Sequence, residues 1–237
     1  MFCFKQFSVN DDRCAMKIGT DGVLLGAWVD VKGAKRVLDV GTGSGLISMM
    51  IAQRNEYAII TGIDIDAGAV VQAKENVKDS PWVDRIEVME CDFNDPVELD
   101  GMEFDLIVSN PPFYTADTRS DDVQRAMARN ASSLPLPLLM TNAERLLSAD
   151  GVLSIIVPSD EAKFVIGEGA LNTLFLVRKC EVCSRVGNAP KRTLLEFSRR
   201  IVTTEQSEMV IYGEDDGYTE EFMELTKGFY MKLGIRN

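Results

Sequence analysis

One stretch decides the fold of this chain: Val37-Leu38-Asp39-Val40-Gly41-Thr42-Gly43-Ser44-Gly45. Its first half has the apolar character of a strand end, and its glycine-rich half is typical of a turn that opens a helix. Glycines at such a turn let the backbone approach a ligand closely where a side chain would block it. The stretch therefore predicts a strand, a turn and a helix, with a ligand lying against the turn.

Short β-like runs alternate with amphipathic stretches from Arg36 onward. This alternation is typical of a parallel sheet covered by helices on both faces. The predicted strands cover residues 36–40, 59–63, 86–90, 104–109 and 152–157, and the predicted helices cover residues 46–53, 67–77, 138–147 and 162–171. The pattern predicts an α/β fold.

The last third of the chain changes character. Two β-rich runs, 174–183 and 194–201, are joined by a polar loop at residues 187–192. The loop leaves no room for a crossover helix, so the two strands must pair antiparallel. We expect this hairpin at one edge of a sheet that is otherwise parallel.

The composition is that of a globular protein with one core: 46% of the 237 residues are hydrophobic and 26% are charged. No apolar run approaches the roughly 20 residues of a membrane span, and the N-terminus lacks the features of a signal peptide. Five cysteines without regular spacing fit reduced thiols, and the solitary Cys180-Glu181-Val182-Cys183 is interpreted as structural. We expect a cytoplasmic protein with no membrane partner.

The chain contains no histidine. This absence removes His-based nucleophilic triads, imidazole general bases and most zinc hydrolase sites. A net charge of −12 argues against broad electrostatic binding to nucleic acid, although it allows a local basic patch. We expect chemistry that uses neither an imidazole nor a metal ion.

Acidic residues lie at the ends of three successive predicted strands. Asp39 precedes the turn, where a carboxylate repels a pyrophosphate but accepts from an ammonium group, directly or through water. Asp64 ends the second strand, where a carboxylate accepts both hydroxyls of a ribose, and Asp66 is the alternative. Asp92 and Phe93 follow the third strand and are placed to flank an adenine. Strand-end caps and turn formers remain the competing interpretation of these aspartates.

A ribose, an adenine and an α-amino acid together describe S-adenosylmethionine. The glycine spacing agrees, because Gly41, Gly43 and Gly45 form G-x-G-x-G and not the G-x-G-x-x-G of a dinucleotide site. The sulfonium of this cofactor already activates its methyl group, so the protein has chiefly to align the reacting atoms and exclude water. The product is then S-adenosylhomocysteine.

The tetrapeptide Asn110-Pro111-Pro112-Phe113 follows the fourth predicted strand. The Asn110 side-chain oxygen and the Pro111 carbonyl are acceptors for the two N–H bonds of a planar amine, and such bonds localise its lone pair. The two prolines fix the backbone that aims the carbonyl. Phe113, and less strongly Tyr114, is a candidate to stack on the ring that carries the amine. A simple strand-terminating turn is the alternative.

These features resemble the class I, Rossmann-like S-adenosylmethionine-dependent methyltransferases, and the Asn-Pro-Pro-Phe motif resembles that of the branch that methylates amino groups. The resemblance implies a seven-stranded, mostly parallel sheet with the antiparallel hairpin at its edge and helices on both faces. The chain is similar nearly end to end to the bacterial tRNA1(Val) (adenine(37)-N6)-methyltransferase family. Three stretches carry that similarity: Phe4-Lys5-Gln6-Phe7, Cys14-Ala15-Met16-Lys17-Ile18-Gly19-Thr20-Asp21-Gly22-Val23-Leu24-Leu25-Gly26-Ala27-Trp28, and the run from Tyr218-Thr219-Glu220-Glu221-Phe222 to Phe229-Tyr230-Met231-Lys232-Leu233.

The resemblance implies methyl transfer to N6 of adenine 37 in tRNA, with the base flipped out of its stack and gripped by residues 110–113. Asn110 then borders the cofactor as well as the base. The resemblance further implies that residues 1–35 close over the methionine end of the cofactor, ahead of a methyltransferase domain at residues 36–237. Lys17, Thr20 and Asp21 are assigned to that end.

A departure from the family follows the Asn-Pro-Pro-Phe loop. Relatives usually show Ala-Arg-His there, and this chain has Ala128-Arg129-Asn130, in which Arg129 can still meet phosphate. An acidic protein needs a local basic patch in order to bind tRNA. We expect the protein to be a monomer. The candidates for the patch are Arg119, Arg125, Arg129, Lys191, Arg192, Arg199 and Arg200.

Other functions stay open at this point. One is another methyltransferase of the same motif that acts on ribosomal RNA. A second is a protein glutamine N5-methyltransferase, although that class typically has Tyr where this chain has Phe113. A nucleotide-binding scaffold without catalysis is disfavoured, because the cofactor aspartates and Asn110 are all present.

Overall fold

The computed structural model describes residues 1–112 and 134–231. Strands β1 to β10 are Phe2–Cys3, Ser8–Val9, Arg36–Val40, Ile59–Asp64, Ile86–Glu90, Phe104–Ser109, Leu147–Pro158, Phe175–Arg185, Arg192–Ser198 and Glu205–Tyr212. Helices α1 to α6 are Thr20–Trp28, Leu46–Arg54, Ala67–Lys78, Leu136–Leu146, Ala162–Leu171 and Glu220–Thr226. β1 and β2 form a small separate hairpin, and the other strands form one sheet.

The strand order of the large sheet is β10-β8-β9-β7-β6-β3-β4-β5. Neighbouring strands are parallel, except that β9 is antiparallel to both β7 and β8. From β3 the chain proceeds to β4 and β5 on one side, and then crosses to β6 and β7 on the other. This reversal opens a crevice at the carboxyl ends of the strands, where ligands bind in sheets of this kind.

The edge of the sheet differs from the expectation in two ways. The hairpin of β8 and β9 forms as predicted, but it does not lie at the edge, because β10 pairs parallel with β8. The described sheet consequently has eight strands and not seven. β10 lacked a strong signal because Glu205, Ser207 and Glu208 are exposed on it, and only Met209 is buried. Charged side chains of this sort protect an edge strand from pairing with other chains.

Apolar cores cover both faces of the sheet. On β3, Val37 packs into the core that contains residues of α1, α2, α3 and α6, whereas Leu38 and Val40 pack into the core with α4 and α5. Successive residues of a strand point to opposite faces, so Asp39 shares the face of Val37 and α2. Burial on both faces explains why the parallel strands are nearly continuous apolar runs.

The N-terminal segment packs into the same core as the sheet. The ring of Phe4 lies 4.8 Å from Phe7 and 6.0 Å from Tyr230, measured between centroids, and Phe7 lies 5.5 Å from Trp82. The Lys5 amide donates to the Phe229 carbonyl at 2.8 Å. The first residues of the chain therefore contact the last described ones, and the division at residue 35 stays a prediction.

Two further features were singled out in the sequence. Cys180 and Cys183 are both buried as free thiols and stand three residues apart on β8, so they point to opposite faces of the sheet. This placement agrees with a structural role. Across the described residues, no helix has the length and apolar character to cross a membrane.

Candidate active site

A cavity of about 480 Å³ lies at the carboxyl ends of β3, β4, β5 and β6. Its size is that of a site for a small molecule or cofactor. Five segments form most of its lining: residues 14–22, the turn at 40–44, residues 63–66, residues 91–94 and residues 110–112. The cavity occupies the crevice that the reversal of strand order predicts.

The glycine-rich turn forms one wall with bare backbone. Gly41, Gly43 and Gly45 have φ angles of +70°, +55° and +80°, values that residues with a side chain rarely adopt. A Cβ added to Gly41 would meet nothing within 4 Å, because that position faces the open cavity. Gly45 lies behind the wall, as the residue that precedes α2. The turn thus presents bare backbone to the cavity at Gly41 and Gly43, and its contact with a ligand stays a prediction.

Asp39 lies beneath the turn and is fully buried. Its Oδ2 accepts from the Thr42 hydroxyl at 2.7 Å and from the Ser48 hydroxyl and amide at 2.7 and 3.1 Å. Burial raises the pKa of this carboxyl to about 6, although these hydrogen bonds act in the opposite direction. Asp39 is not among the residues that line the cavity. Its carboxylate ties the turn to α2.

Asp64 and Asp66 both line the cavity but have different tasks. Asp64 Oδ2 accepts from the Gly43 amide at 2.9 Å, which joins the end of β4 to the turn. Asp66 caps α3 by accepting from the Gly68 amide at 2.7 Å. Burial raises the pKa of Asp64. Asp64 Oδ1 also accepts from the Asp66 amide at 2.9 Å, so both aspartates hold backbone amides at this wall, and the choice of Asp64 for a ribose stays a prediction.

The segment after β5 brings a polar and an apolar group to the same wall. Asp92 is exposed, and its Oδ1 accepts from the Asn94 amide at 2.9 Å. Phe93 is buried, and its carbonyl accepts from the Asn142 side chain at 2.7 Å. Ile65 also lines the cavity with 38% of its surface exposed, and the sequence reasoning missed it. Its position between Asp64 and Asp66, at the end of a strand, is the signal that could have identified it.

Asn110 lies half-buried on the wall that follows β6. The Ser109 hydroxyl donates to the Val40 carbonyl at 2.9 Å and so holds the end of β6 beside the end of β3. The Asn110 amide group donates to the thioether of Met16 at 3.6 Å, a contact that the sequence did not reveal. Pro111 and Pro112 line the same cavity. The sheet thus brings the Asn-Pro-Pro segment next to the glycine-rich turn.

Several predicted substrate residues lie outside the described residues. They are Phe113, Tyr114, Arg119, Arg125 and Arg129, and the departure from the family at Asn130 also lies outside the described residues.

Residues 14–22 form the remaining wall. The Lys17 ammonium donates to the Asp11 carbonyl at 2.6 Å, and the Ile18 amide donates to the Asp11 carboxylate at 2.9 Å. Thr20 is the first residue of α1 and lines the cavity. The three residues assigned to the methionine end, Lys17, Thr20 and Asp21, are therefore all on this wall.

Two arginines of the suggested basic patch form hydrogen bonds with other residues of the protein. Arg192 Nε donates to Asp21 Oδ2 at 2.7 Å. Arg199 donates to Glu144 Oε1 at 3.1 Å and to the Ser148 carbonyl at 2.7 Å. Among the described residues, no group of three or more His, Cys, Asp or Glu side chains is arranged to hold a metal ion.

Known proteins resemble this chain over almost its whole length. The family model for the methyltransferase small domain matches residues 15–179. Relatives named tRNA1(Val) (adenine(37)-N6)-methyltransferase from Mannheimia succiniciproducens and Bacteroides thetaiotaomicron are each 43% identical to it over 98% of this chain, and over 95% and 98% of their own lengths. The chain belongs to the tRNA1(Val) (adenine(37)-N6)-methyltransferase family. A relative of the same name from Haemophilus influenzae strain PittGG is 41% identical over 98% of this chain and 99% of its own.

Solved structures share the fold of this methyltransferase. A predicted O-methyltransferase from Agrobacterium tumefaciens superposes with a TM-score of 0.69 at 18% identity, covering 92% of this chain and 100% of that one. A TehB-like SAM-dependent methyltransferase from Corynebacterium glutamicum gives 0.51 at 21% identity, covering 77% and 89%. The fold is therefore that of the class I methyltransferases, with eight strands in the described sheet.

Proposed function

We propose that this methyltransferase transfers the methyl group of S-adenosylmethionine to the exocyclic N6 of adenine 37 in tRNA1(Val). One observation carries the proposal: Asn110 and Pro111 lie on the wall of the same cavity as Gly41 and Asp64. An acceptor site for a planar amine thus adjoins an acceptor site for a ribose. The names of the full-length relatives supply the tRNA and the nucleotide.

The residues of the cavity fit S-adenosylmethionine from end to end. Asp64 faces the cavity where a ribose would lie, and Ile65, Asp92 and Phe93 offer apolar and acceptor groups for an adenine. Asp21 supplies an acceptor for the ammonium of the methionine end. When bound, the cofactor supplies a methyl group that its sulfonium has already activated.

Asp39 lies beneath the glycine-rich turn and contributes to the cofactor site through that turn. Its hydrogen bonds to Thr42 and Ser48 hold the turn in the shape that the cofactor requires. Its other oxygen, Oδ1, is buried and has no hydrogen-bond partner among the described residues. We therefore expect Asp39 to act on the cofactor through the turn and not by contact with the ammonium.

The protein contributes alignment to the reaction. Asn110 Oδ1 and the Pro111 carbonyl would accept hydrogen bonds from the two N–H groups of the adenine amine, which would localise and orient the lone pair of its nitrogen. The amine would release one of its protons to solvent as it gains the methyl group. The buried ring of Pro111 keeps that carbonyl in place.

The test is incubation of the protein with labelled S-adenosylmethionine and tRNA from cells that lack the enzyme, followed by mapping of the labelled nucleoside. The expected product is N6-methyladenosine at position 37 of tRNA1(Val). Label that appears in ribosomal RNA or in a protein glutamine, and not in tRNA, would contradict the proposal.

A further inference from the structure

The segment of residues 10–21, here named the strap, runs along the cavity, and its N-terminal end is attached to α3. The Asn10 amide donates to Asn76 Oδ1 at 3.0 Å, and Asn76 Nδ2 donates back to the Asn10 carbonyl at 2.7 Å. Arg13 forms an ion pair with Glu75 at 2.8 Å. One end of the strap is therefore fixed to the body of the protein.

The other end of the strap enters α1, which packs in the core, and its Asp21 carboxylate forms an ion pair with a distant arginine. Asp21 lies in the first turn of α1, and its Oδ2 accepts from Nε of Arg192, 171 residues away at the start of β9. Arg192 Nη1 donates to the Lys191 carbonyl at 3.0 Å, and the Lys191 amide donates to the Val182 carbonyl at 2.9 Å. The guanidinium is thus held by the hairpin of β8 and β9.

Only one member of this ion pair lines the cavity. Asp21 is among the residues that line the cavity, whereas Arg192 is not. The two side chains are 31% and 37% exposed, so water screens their attraction only in part. Arg192 can therefore act on a ligand through Asp21 and not by contact.

We propose that Arg192 is a positioning residue for the cofactor, because it holds the Asp21 carboxylate at the wall of the cavity. The inference rests on the proposed function, which makes S-adenosylmethionine the ligand. Arg192 has two effects there. It orients the Asp21 carboxylate, and its charge offsets the repulsion between that carboxylate and the carboxylate of the methionine end.

The experiment measures the Kd of S-adenosylhomocysteine by calorimetry and the steady-state constants with tRNA. Arg192→Gln is expected to raise the Kd about fivefold, which corresponds to about 1 kcal/mol, and to raise the KM for S-adenosylmethionine equally while kcat changes little. Arg192→Lys keeps the charge and is expected to recover most of the affinity.

Arg199→Gln is the matched control. Arg199 follows the other end of β9 and pairs with Glu144 at similar exposures of 30% and 34%. Its loss is expected to lower the melting temperature and to leave the Kd unchanged. If Arg192→Gln changes the Kd no more than Arg199→Gln does, or if Arg192→Lys binds as weakly as Arg192→Gln, Arg192 has no positioning role.

Two further results keep the inference separate from the proposed function. A wild-type protein that binds neither S-adenosylmethionine nor S-adenosylhomocysteine overturns the proposed function itself. If Arg192→Gln does not fold, the salt dependence of cofactor binding by the wild-type protein tests the inference. Raising NaCl from about 0.05 to about 0.5 M should weaken cofactor binding by screening the pair, and a Kd independent of salt contradicts the inference.

Discussion

Asp39 shows most clearly how a residue's environment sets its chemistry. Its carboxyl is fully buried, and desolvation raises its pKa from 3.8 to about 6. Three hydrogen bonds from Thr42 and Ser48 reduce this shift without abolishing it. The turn is therefore anchored by a carboxylate that is costly to ionise.

This raised pKa predicts how stability depends on pH. Between pH 3.8 and about 6 the folded state retains a proton that the unfolded state has released, so the free energy of unfolding falls as the pH rises through that window. The fall due to Asp39 is expected to reach about 3 kcal/mol. Urea denaturation of the wild type and of Asp39→Asn across this range measures it. The difference between the two should shrink with rising pH, and parallel curves would contradict the pKa of Asp39.

Asn110 is the residue on which the chemistry depends most. Asn110→Ala removes the side-chain acceptor for the adenine amine, so methyl transfer should fall at least about a hundredfold. The Kd of the cofactor should stay nearly unchanged. Single-turnover kinetics measure the rate of methyl transfer, and calorimetry measures the Kd of the cofactor. Asn188→Ala, which changes an exposed asparagine of the hairpin loop, is the control. A large loss of cofactor binding would show that the role assigned to Asn110 is wrong.

Among the elements, the glycine-rich turn has the most direct consequence for binding. Gly41 and Gly101 have φ angles of +70° and +78°, and a Cβ at either would meet nothing within 4 Å. An alanine therefore brings similar backbone strain to both positions, about 1 kcal/mol. Only Gly41 lines the cavity.

The two glycines thus make a matched pair of variants. Gly41→Ala and Gly101→Ala should lower the free energy of unfolding by similar amounts. Only Gly41→Ala should also weaken cofactor binding, because its methyl group takes space in the cavity. Equal cofactor affinity in the two variants would mean that the turn does not approach the ligand.

At the scale of the whole molecule, an acidic protein has to bind a polyanion. The net charge is −12. Of the suggested patch, Arg192 and Arg199 are engaged with Asp21 and Glu144, while Lys191 and Arg200 are exposed. Arg119, Arg125 and Arg129 lie outside the described residues. Among the described members of the patch, Lys191 and Arg200 therefore stay available for phosphates.

The affinity for tRNA should accordingly depend only weakly on salt. With three or four phosphate contacts, the plot of log K against log salt concentration is expected to have a slope of about −3. Filter binding over a range of NaCl concentrations measures it, and Arg119→Gln, Arg125→Gln and Arg129→Gln should each make the slope shallower by about 1. A much steeper slope would require a basic surface elsewhere on the protein.

The sequence by itself determined the local elements and the chemistry. β3, β5, β6 and α5 begin and end at the predicted residues, because their apolar periods and their flanking turn residues act over a few positions. The glycine-rich turn, the strand-end aspartates and the Asn-Pro-Pro motif also follow from short stretches.

Only the tertiary structure decided the features that join distant parts of the chain. β10 as the edge strand, the pair of Arg192 with Asp21 and the contact of Met16 with Asn110 were not predicted. Asp39 behind the cavity wall was not predicted either. A local pattern cannot specify such features, because each depends on which surfaces meet once the strands are ordered. The residues were visible in the sequence, and packing decided which of them face the ligand.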